Sequence, residues 1–319
     1  MSPPAVAEKP QLDPRKFRDP AVTAKGERRA RVALKRLRTL WFNTGTLCNL
    51  TCRNCYIESS PTNDRLSYLS AADVGTYLDE IARDGLPTEE IGFTGGEPFM
   101  NPELPAMLEM CLSRGFRVLV LTNAMRPMMK MAGALLAAKD LGGERLIIRV
   151  SVDHYTRDMH EYERGDRSWA PMLAGLRWLV AGGFNVHVAA RSFTGQTEAE
   201  LRRGFARLFA DQAIPIDATD PVRLVIFPEM DPTADVPEIT EACWGILNKS
   251  PDAMMCATSR MVVKRRGAER PAVVACTLLP DDPQFELGHT LADAAGSVAL
   301  NHPHCAKFCV LGGGSCTRS

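Results

Sequence analysis

Three closely spaced cysteines constrain this chain more than any other feature of its sequence. Cys48, Cys52 and Cys55 follow an apolar segment that begins at Trp41, and their spacing is CxxxCxxC. Because thiolate is the preferred ligand of iron in iron–sulfur clusters, such a loop can hold three irons of a cubic 4Fe–4S cluster. The fourth iron then has no protein ligand, and an open metal position admits a substrate or cofactor. A structural zinc site is the alternative, but zinc usually takes four protein ligands that arrive as CxxC pairs.

A second motif lies about 40 residues after the cysteines. It is the segment Gly-Gly-Glu-Pro at residues 95–98, and Tyr56 comes directly after the last cysteine. CxxxCxxC with a following aromatic residue resembles the signature of the radical S-adenosylmethionine (SAM) enzymes, and the second motif resembles the GGEP segment of that family. The resemblance implies that SAM chelates the open iron through its amino and carboxylate groups. It also implies that an external reductant, such as flavodoxin or ferredoxin, supplies an electron that cleaves SAM to methionine and a 5′-deoxyadenosyl radical.

The composition of the whole chain excludes several classes of protein. Acidic and basic residues cancel at 38 each over 319 residues, so the global charge indicates no polyanionic partner. No apolar run approaches the length of a membrane span, and the first residues lack the apolar core of a signal peptide. The ten cysteines are clustered, unlike those of a small secreted disulfide protein. We therefore predict a soluble protein of the reducing cytoplasm.

Residues 1–37 are predicted to form a basic N-terminal arm. Basic residues crowd into the segment 25–38, and such clusters can neutralise the phosphates of a nucleic acid. No aromatic side chains are interleaved with them, so the pattern favours a solvated helix face over nucleic-acid binding. On this helix Val32, Leu34 and Leu37 would lie against the rest of the fold, and the stems of the basic residues would extend along it.

Apolar strand segments alternate with helical segments between residues 38 and 230. The predicted strands begin at Trp41 and then span residues 90–94, 117–122, 146–151, 186–190 and 224–227. The predicted helices run from Ser70 to Gly85 and over residues 102–115, 128–139, 169–181 and 198–209. This alternation predicts an α/β fold of parallel βαβ units with right-handed crossovers. Periodicity does not decide whether the units close, but the family resemblance implies a partial (β/α)6 TIM-like barrel with the cofactor at the C-terminal ends of the strands.

Residues that follow two of the predicted strands match further motifs of the resembled family. Gly95 and Gly96 allow close approach of the backbone and positive φ. The resemblance makes them, with Glu97, a hydrogen-bonding edge for the methionyl amino group of SAM. Asn123 lies in a Thr-Asn-Ala segment where the family often has Thr-Asn-Gly. A positive φ is therefore not expected at Ala124.

The next two strands end in residues that the resemblance also assigns to the cofactor. Ser151 and Asp153 resemble the Ser-x-Asp of the family, with Ser151 placed to touch the ribose. The segment from His160 to Arg164 resembles the His-Asp-x-x-Arg of its SPASM-type members, in which the planar guanidinium of Arg164 would bind the methionyl carboxylate through two hydrogen bonds. A salt bridge on a helix surface is the alternative for this arginine. Arg191, at the end of the fifth strand, can reach the cofactor or a substrate.

The remaining residues, 231–319, are rich in cysteine. A first cysteine, a β-rich segment and then closely spaced cysteines resemble the twitch or SPASM extensions that carry auxiliary 4Fe–4S clusters. The cysteines in question are Cys256, Cys276, Cys305, Cys309 and Cys316. SPASM domains carry seven cysteines for two clusters, so five imply one auxiliary cluster with three or four protein ligands. His302 and His304 leave a mixed zinc site as the alternative, and Cys111 and Cys243 are predicted to be core residues.

These motifs predict a radical enzyme whose auxiliary cluster anchors the substrate or takes up an electron from it. We expect the substrate to be a small metabolite, because residues 1–37 are short for a domain that recognises a leader peptide. Maturation of a ribosomally made peptide is the alternative within the same class. An iron–sulfur carrier protein is the alternative of another class, and it is disfavoured because a carrier has no use for the GGEP and Ser-x-Asp segments.

Overall fold

The structure, a computed structural model, describes residues 10–229, 231 and 233–315. The strands are β1 (Arg31–Val32), β2 (Thr39–Asn43), β3 (Glu90–Thr94), β4 (Arg117–Thr122), β5 (Leu146–Ser151), β6 (Asn185–Ser192), β7 (Leu224–Pro228), β8 (Ser259–Val263), β9 (Ala272–Val274), β10 (Glu286–Gly288) and β11 (Val298–Ala299). The α-helices are α1 (Ala71–Arg83), α2 (Leu104–Ser113), α3 (Arg126–Lys130), α4 (Ala132–Gly142), α5 (Arg157–Arg164), α6 (Trp169–Ala181), α7 (Glu198–Asp211) and α8 (Cys243–Ile246), and a π-helix spans Cys305–Leu311.

One sheet of nine strands organises the molecule, in the order β10-β9-β8-β2-β3-β4-β5-β6-β7. The strands from β2 to β7 are all parallel to their neighbours. This confirms the six parallel strands of the predicted partial barrel. Strand β8 extends the sheet beside β2 in parallel, so the sheet continues across the boundary predicted near residue 230. The two edge strands of the sheet are β7 and β10. Within the described part of the chain they do not pair with each other, so the barrel is open on one side.

Two hydrophobic cores lie on the two faces of this sheet. Successive strand residues point to opposite faces, so Phe93 and Val120 pack outward against the helices. Trp41, Leu119 and Ile147 point into the barrel, where they form a second core with the C-terminal residues. The interior of the barrel is therefore filled partly by the segment after residue 230.

The helix ends follow local chemistry, some of it visible in the sequence. Helix α1 begins at a capping box in which the Ser70 side chain accepts the Asp73 N–H and the Asp73 side chain accepts the Ser70 N–H. Helix α7 begins at a similar box on Thr197. The single helix predicted over residues 128–139 is instead two helices that meet at Met131. Among the described residues no helix has the length and apolar character that crossing a membrane requires.

The N-terminal arm differs from the sequence-based prediction. The helix predicted within residues 25–38 is wrong, since this segment is extended and β1 pairs with β11 in an antiparallel ladder. Arg29 is 1% exposed and its Nη2 lies 2.6 Å from the Glu238 carboxylate. Alternation along an extended chain turns one basic residue inward while its neighbours face water. The buried pair ties the arm to the C-terminal segment.

Candidate functional site

A cavity lies at the carboxyl ends of the barrel strands, where α/β folds generally bind ligands. It collects cysteines from the loop after β2, glycines from the loop after β3 and polar residues from the ends of β4, β5 and β6. The predicted residues that line it are Cys48, Cys52, Cys55, Gly95, Gly96, Asn123, Ser151, Asp153, Arg164 and Arg191. Residues far apart in sequence therefore converge on one site.

The cysteine loop has a donor set that fits an iron–sulfur cluster. The Cys48 Sγ accepts the Leu50 N–H at 3.4 Å, and the Cys55 Sγ accepts the Ser59 N–H at 3.3 Å. Burial raises the pKa of Cys48 to about 12 and raises that of Cys52, so a bound metal has to stabilise their thiolates. Among the described residues no three His, Cys, Asp or Glu side chains are close enough to hold one metal ion. In a cubic 4Fe–4S cluster each thiolate binds a different iron, so the three cysteines need not meet at one metal ion.

The paired glycines are required by the approach of the cysteine loop. Gly95 has φ of 145°, and a Cβ there would lie 2.6 Å from the Gly45 carbonyl oxygen. A Cβ on Gly96 would lie 2.2 Å from the Leu47 carbonyl oxygen. No side chain fits either position, so glycine allows the loop after β3 to lie directly on the backbone that leads to Cys48.

Glu97, predicted to contact the cofactor, does not line the cavity. Its carboxylate accepts the Thr122 hydroxyl at 2.7 Å and the Asn123 N–H at 2.8 Å. Burial raises the pKa of Glu97 from 4.5 to about 7, against the lowering effect of these hydrogen bonds. The residue thus ties the loop after β3 to the end of β4. In the same turn Ala124 has φ of 58°, so the expectation that its φ would not be positive is wrong.

Two arginines share one aspartate on the opposite wall. The Arg164 Nε lies 2.7 Å from one oxygen of Asp153, and its Nη2 donates to the other at 3.2 Å. The Arg191 Nε lies 3.4 Å from the same carboxylate. Burial alone would raise the pKa of Asp153, but the charges of both arginines hold it below its ordinary value. The Arg164 side chain is only 11% exposed, so the alternative of a surface salt bridge is wrong.

Glu163, which was not predicted from the sequence, lies beside this pair. It is 1% exposed, and its carboxylate lies 3.0 Å from the Arg191 Nη1. A signal was present, because residues three and four apart share a helix face and His160, Glu163 and Arg164 lie on the same side of α5. The His160 ring is buried and meets Trp169 edge-on at 5.4 Å, so it packs α5 against α6.

The cavity also has an apolar wall that was not predicted from the sequence. Leu121 and Phe227 reach it from β4 and β7, whereas Leu278 and Phe308 reach it from the C-terminal segment. The rings of Phe227 and Phe308 lie 5.4 Å apart. The C-terminal segment thus closes part of the cavity. The pattern of strands and helices in the first 230 residues does not predict this contact.

The cysteines of the C-terminal segment share the core inside the barrel. Those in contact with it are Cys243, Cys256, Cys276, Cys305 and Cys309, whereas Cys316 lies outside the described residues. Burial raises the pKa of Cys305 to about 12, and negative charge at Cys256 adds to the shift. The Cys276 Sγ accepts the Leu278 N–H at 3.4 Å. Cys111 is fully buried on α2, in agreement with its predicted core role.

Comparison with curated proteins identifies relatives of the barrel. The radical SAM superfamily model matches residues 42–205. The antilisterial bacteriocin subtilosin biosynthesis protein AlbA of Bacillus subtilis is 31% identical over 147 residues, which are 46% of this chain and 31% of that protein. The mycofactocin maturase MftC of Mycobacterium ulcerans is 31% identical over 137 residues, which are 43% of this chain and 35% of that protein. The matches span about a third of the length of these relatives.

Solved structures share the fold at low sequence identity. Streptococcus suis SuiB bound to S-adenosylmethionine has a TM-score of 0.58 and 14% identity, over 80% of this chain and 63% of that chain. The protein anSMEcpe with bound AdoMet has a TM-score of 0.57 and 13% identity, over 80% of this chain and 79% of that chain. Similarity at this level confirms the architecture of the partial barrel.

Proposed function

The chain belongs to the radical S-adenosylmethionine superfamily, and we propose that it is an enzyme that cleaves SAM reductively and abstracts hydrogen from a substrate. The observation that carries this proposal is the convergence of three cysteines, the glycine pair and the arginine–aspartate network in one cavity. A reductant such as flavodoxin or ferredoxin would supply the electron, and the reducing cytoplasm is the compartment that suits such a cluster.

The residues of the cavity suit the parts of this chemistry. Cys48, Cys52 and Cys55 would hold a 4Fe–4S cluster, which when bound supplies the electron that converts SAM to methionine and a 5′-deoxyadenosyl radical. The backbone at Gly95 and Gly96 is open to the amino group of the cofactor, since neither residue has a side chain. Leu121 and Phe227 make part of the cavity wall apolar, which would disfavour water near the reacting groups.

The charged wall has a second task in this proposal. Asp153 occupies the Nε side of Arg164, and the guanidinium has further N–H groups for the methionyl carboxylate. Ser151 and Asn123 line the same cavity and offer hydrogen bonds to the ribose and the methionyl group. Glu97 is assigned a positioning role, because it holds the Asn123 backbone instead of facing the cavity.

An auxiliary 4Fe–4S cluster in the C-terminal segment belongs to the same proposal. Cys256, Cys276, Cys305 and Cys309 share one core, and two of them neighbour the residues that close the cavity. Leu278 follows Cys276 by two positions, and Phe308 directly precedes Cys309. Thiolate ligation there would fix the apolar wall relative to the barrel. Cys316 stays a predicted further ligand.

The lining of the cavity favours a substrate with an uncharged, apolar reacting group. Arg164 and Arg191 line the cavity; the remaining N–H groups of Arg164 are assigned to the methionyl carboxylate, and Arg191 is paired with the buried carboxylates of Asp153 and Glu163. A phosphorylated substrate needs cations that are not committed elsewhere. The wall formed by Leu121, Phe227, Leu278 and Phe308 suits an aliphatic or aromatic group instead.

Peptide maturation is the second candidate function. AlbA and MftC are named for biosynthesis of a bacteriocin and maturation of mycofactocin, and SuiB has been solved with its precursor peptide SuiA. The apolar wall is compatible with a peptide side chain as well as with a small metabolite. Both candidates use the same radical chemistry in the same cavity.

Formation of 5′-deoxyadenosine by the reduced, reconstituted protein tests the proposed function. Wild-type protein should form 5′-deoxyadenosine from SAM, whereas Cys52→Ala should form none and should bind about four fewer irons per chain, because one cubane is lost. Cys111→Ala is the matched control and should keep both properties, since Cys111 lies on α2 away from the cavity. Undiminished formation in Cys52→Ala would refute the assignment. Cluster transfer to another apoprotein without SAM cleavage would favour the carrier alternative.

A further inference from the structure

Glu163 is a buried acid outside the set of residues that line the cavity. It is 1% exposed and lies next to Arg164 at the end of α5. Burying a carboxylate is costly unless charged or hydrogen-bonding partners meet it. The partners of Glu163 therefore show what its position achieves.

The carboxylate of Glu163 accepts hydrogen bonds from the loop between Cys52 and Cys55. The Asn54 N–H donates to Oε1 at 3.1 Å, and the Asn54 Nδ2 donates to Oε2 at 2.8 Å. The main chain contributes as well, since the Arg53 N–H donates to the Glu163 carbonyl oxygen at 2.8 Å. Asn54 directly precedes Cys55. One end of α5 is thus bonded to the segment that joins Cys52 to Cys55.

Arg191, on strand β6, is hydrogen-bonded to both the cysteine loop and Glu163. Its Nη1 donates to the Asn54 carbonyl oxygen at 2.7 Å and to the Glu163 Oε1 at 3.0 Å. The same guanidinium lies 3.4 Å from Asp153, which in turn holds Arg164. A continuous set of charge-assisted contacts therefore runs from the cysteine loop to the arginine that faces the cavity.

We propose that Glu163 is a positioning residue that fixes the cysteine loop against α5 and β6, so that Cys52 and Cys55, which would hold the cluster, stay in the same cavity as Arg164. This inference rests on the proposed function. Glu163 affects two parts of the site at once. It is bonded to residues 53 and 54 of the cysteine loop, and it directly precedes residue 164, which would contact the cofactor. Groups that hold metal ligands from behind typically change affinity or activity by about 10–100-fold when they are altered.

Glu163→Gln tests the proposal with little change of volume. Three donor groups meet the carboxylate, namely the Asn54 N–H, the Asn54 Nδ2 and the Arg191 Nη1. The amide of glutamine places an NH2 donor group opposite these donors, so part of the hydrogen bonding to the cysteine loop is lost. The matched control is Asp158→Asn, which neutralises an exposed acid on the same helix.

Hydrogen exchange of the apoprotein measures, without any cofactor, how strongly the Glu163 contacts protect the amides of the cysteine loop. In Glu163→Gln the amides of residues 53–55 should exchange about ten-fold faster or more, since their opening no longer breaks the carboxylate contacts. The control should exchange like the wild type. Unchanged exchange in Glu163→Gln would overturn the proposal. This result is independent of SAM cleavage, so it separates a failure of the positioning role of Glu163 from a failure of the proposed function.

Electron paramagnetic resonance of the reconstituted protein measures the effect on the cofactor. Glu163→Gln should still hold about four irons at the first site, but the change that SAM causes in the spectrum of the reduced cluster should be reduced or lost. The KM for SAM should rise about 10–100-fold. A residue with only a structural role would lower stability and leave the SAM-induced spectral change intact. That pattern would refute the positioning role.

Asn54→Ala keeps the test decisive if Glu163→Gln does not fold. It removes the 2.8 Å contact of the Asn54 side chain and leaves the pair of Glu163 with Arg191 in place. We expect the same faster exchange and a smaller rise in the KM for SAM. Wild-type behaviour in both measurements would overturn the proposal.

Discussion

At the scale of single residues, the cavity depends on charged groups that hold one another. Asp153 is 2% exposed and stays ionised because two arginines surround it. In return it orients Arg164, whose planar guanidinium can bond a second carboxylate with its remaining N–H groups. In the proposed function the arginine would therefore connect Asp153 to a bound carboxylate.

We expect Arg164→Lys to weaken binding of SAM by about 1.5–3 kcal/mol, the range for charge-assisted hydrogen bonds. Lysine keeps the charge but cannot bond Asp153 and a ligand carboxylate in one plane. Equilibrium binding of SAM to reconstituted protein measures the loss. Arg157→Lys on the same helix is the control, since its side chain is 64% exposed and pairs with Glu161. Equal affinity in Arg164→Lys and the parent would remove this arginine from the cofactor site.

The pH dependence of stability should report on Glu97. Burial raises its pKa from 4.5 to about 7, so the folded state binds the proton more tightly than the unfolded state. The stability it contributes is fully present below about pH 4.5 and is lost as the pH rises through about 7. At about 1.4 kcal/mol per pKa unit the loss reaches about 3 kcal/mol.

Denaturant unfolding of the apoprotein between about pH 5 and pH 8 measures this effect. Glu97→Gln is neutral at every pH, so its stability should fall less over this range than that of the wild type. Parallel curves for the two proteins would show that Glu97 titrates near its ordinary pKa.

At the scale of elements, helix α6 is packed directly on the turn that ends β4. A Cβ on Gly175 would lie 1.8 Å from the Ala124 carbonyl oxygen, so glycine allows the helix to touch the backbone of the turn. The turn itself places Asn123 in the cavity and receives Glu97. A helix on the outside of the barrel thus supports a residue of the site.

We expect Gly175→Ala to destabilise the protein by about 1–3 kcal/mol, because the added methyl group overpacks the contact with the turn. Gly133→Ala is the matched control, since it also lies within a helix and its Cβ would meet nothing within 4 Å. The control should be stabilised by about 0.5–1 kcal/mol, the difference in helix propensity between the two residues. Thermal unfolding of the apoproteins measures both, and equal stabilities would contradict the close contact.

At the scale of the whole molecule, the C-terminal segment extends the sheet and fills the interior of the open barrel. It adds β8 to the sheet, fills the interior against Trp41 and Ile147, and contributes Leu278 and Phe308 to the cavity. The arm at the other end of the chain is bound to it through Arg29 and Glu238. The site therefore depends on all three parts of the chain.

The reconstituted wild type should contain about eight irons per chain, the sum of two cubanes. Cys276→Ala should lower this to about four and reduce the thermal stability, since cluster ligation closes several loops of the C-terminal segment. Slow cleavage of SAM should continue, because the first cluster is intact. Cys243→Ala is the control and should keep about eight irons. Four irons and one zinc in the wild type would remove the auxiliary cluster from the proposal.

Local features of the sequence predicted the parallel strands and the cysteine loop, and the family resemblance added the partial barrel and most residues of the cavity. Runs of apolar residues identified β2 to β7, because a strand buried on both faces has few other compositions. The cysteine spacing and the residues at the strand ends then identified the site, since parallel strands bring their carboxyl ends to one edge. These inferences succeeded because each depends on neighbours along the chain.

The amino-acid sequence by itself determined the parallel strands, the cysteine loop and the positions of Gly95 and Asp153 just after their strands. Only the tertiary structure decided that Arg29 is buried, that Glu97 faces Asn123 and that Glu163 holds the cysteine loop. The physical reason is that a charged side chain is stabilised in the interior by partners distant in sequence. Such pairings appear only once the chain has folded.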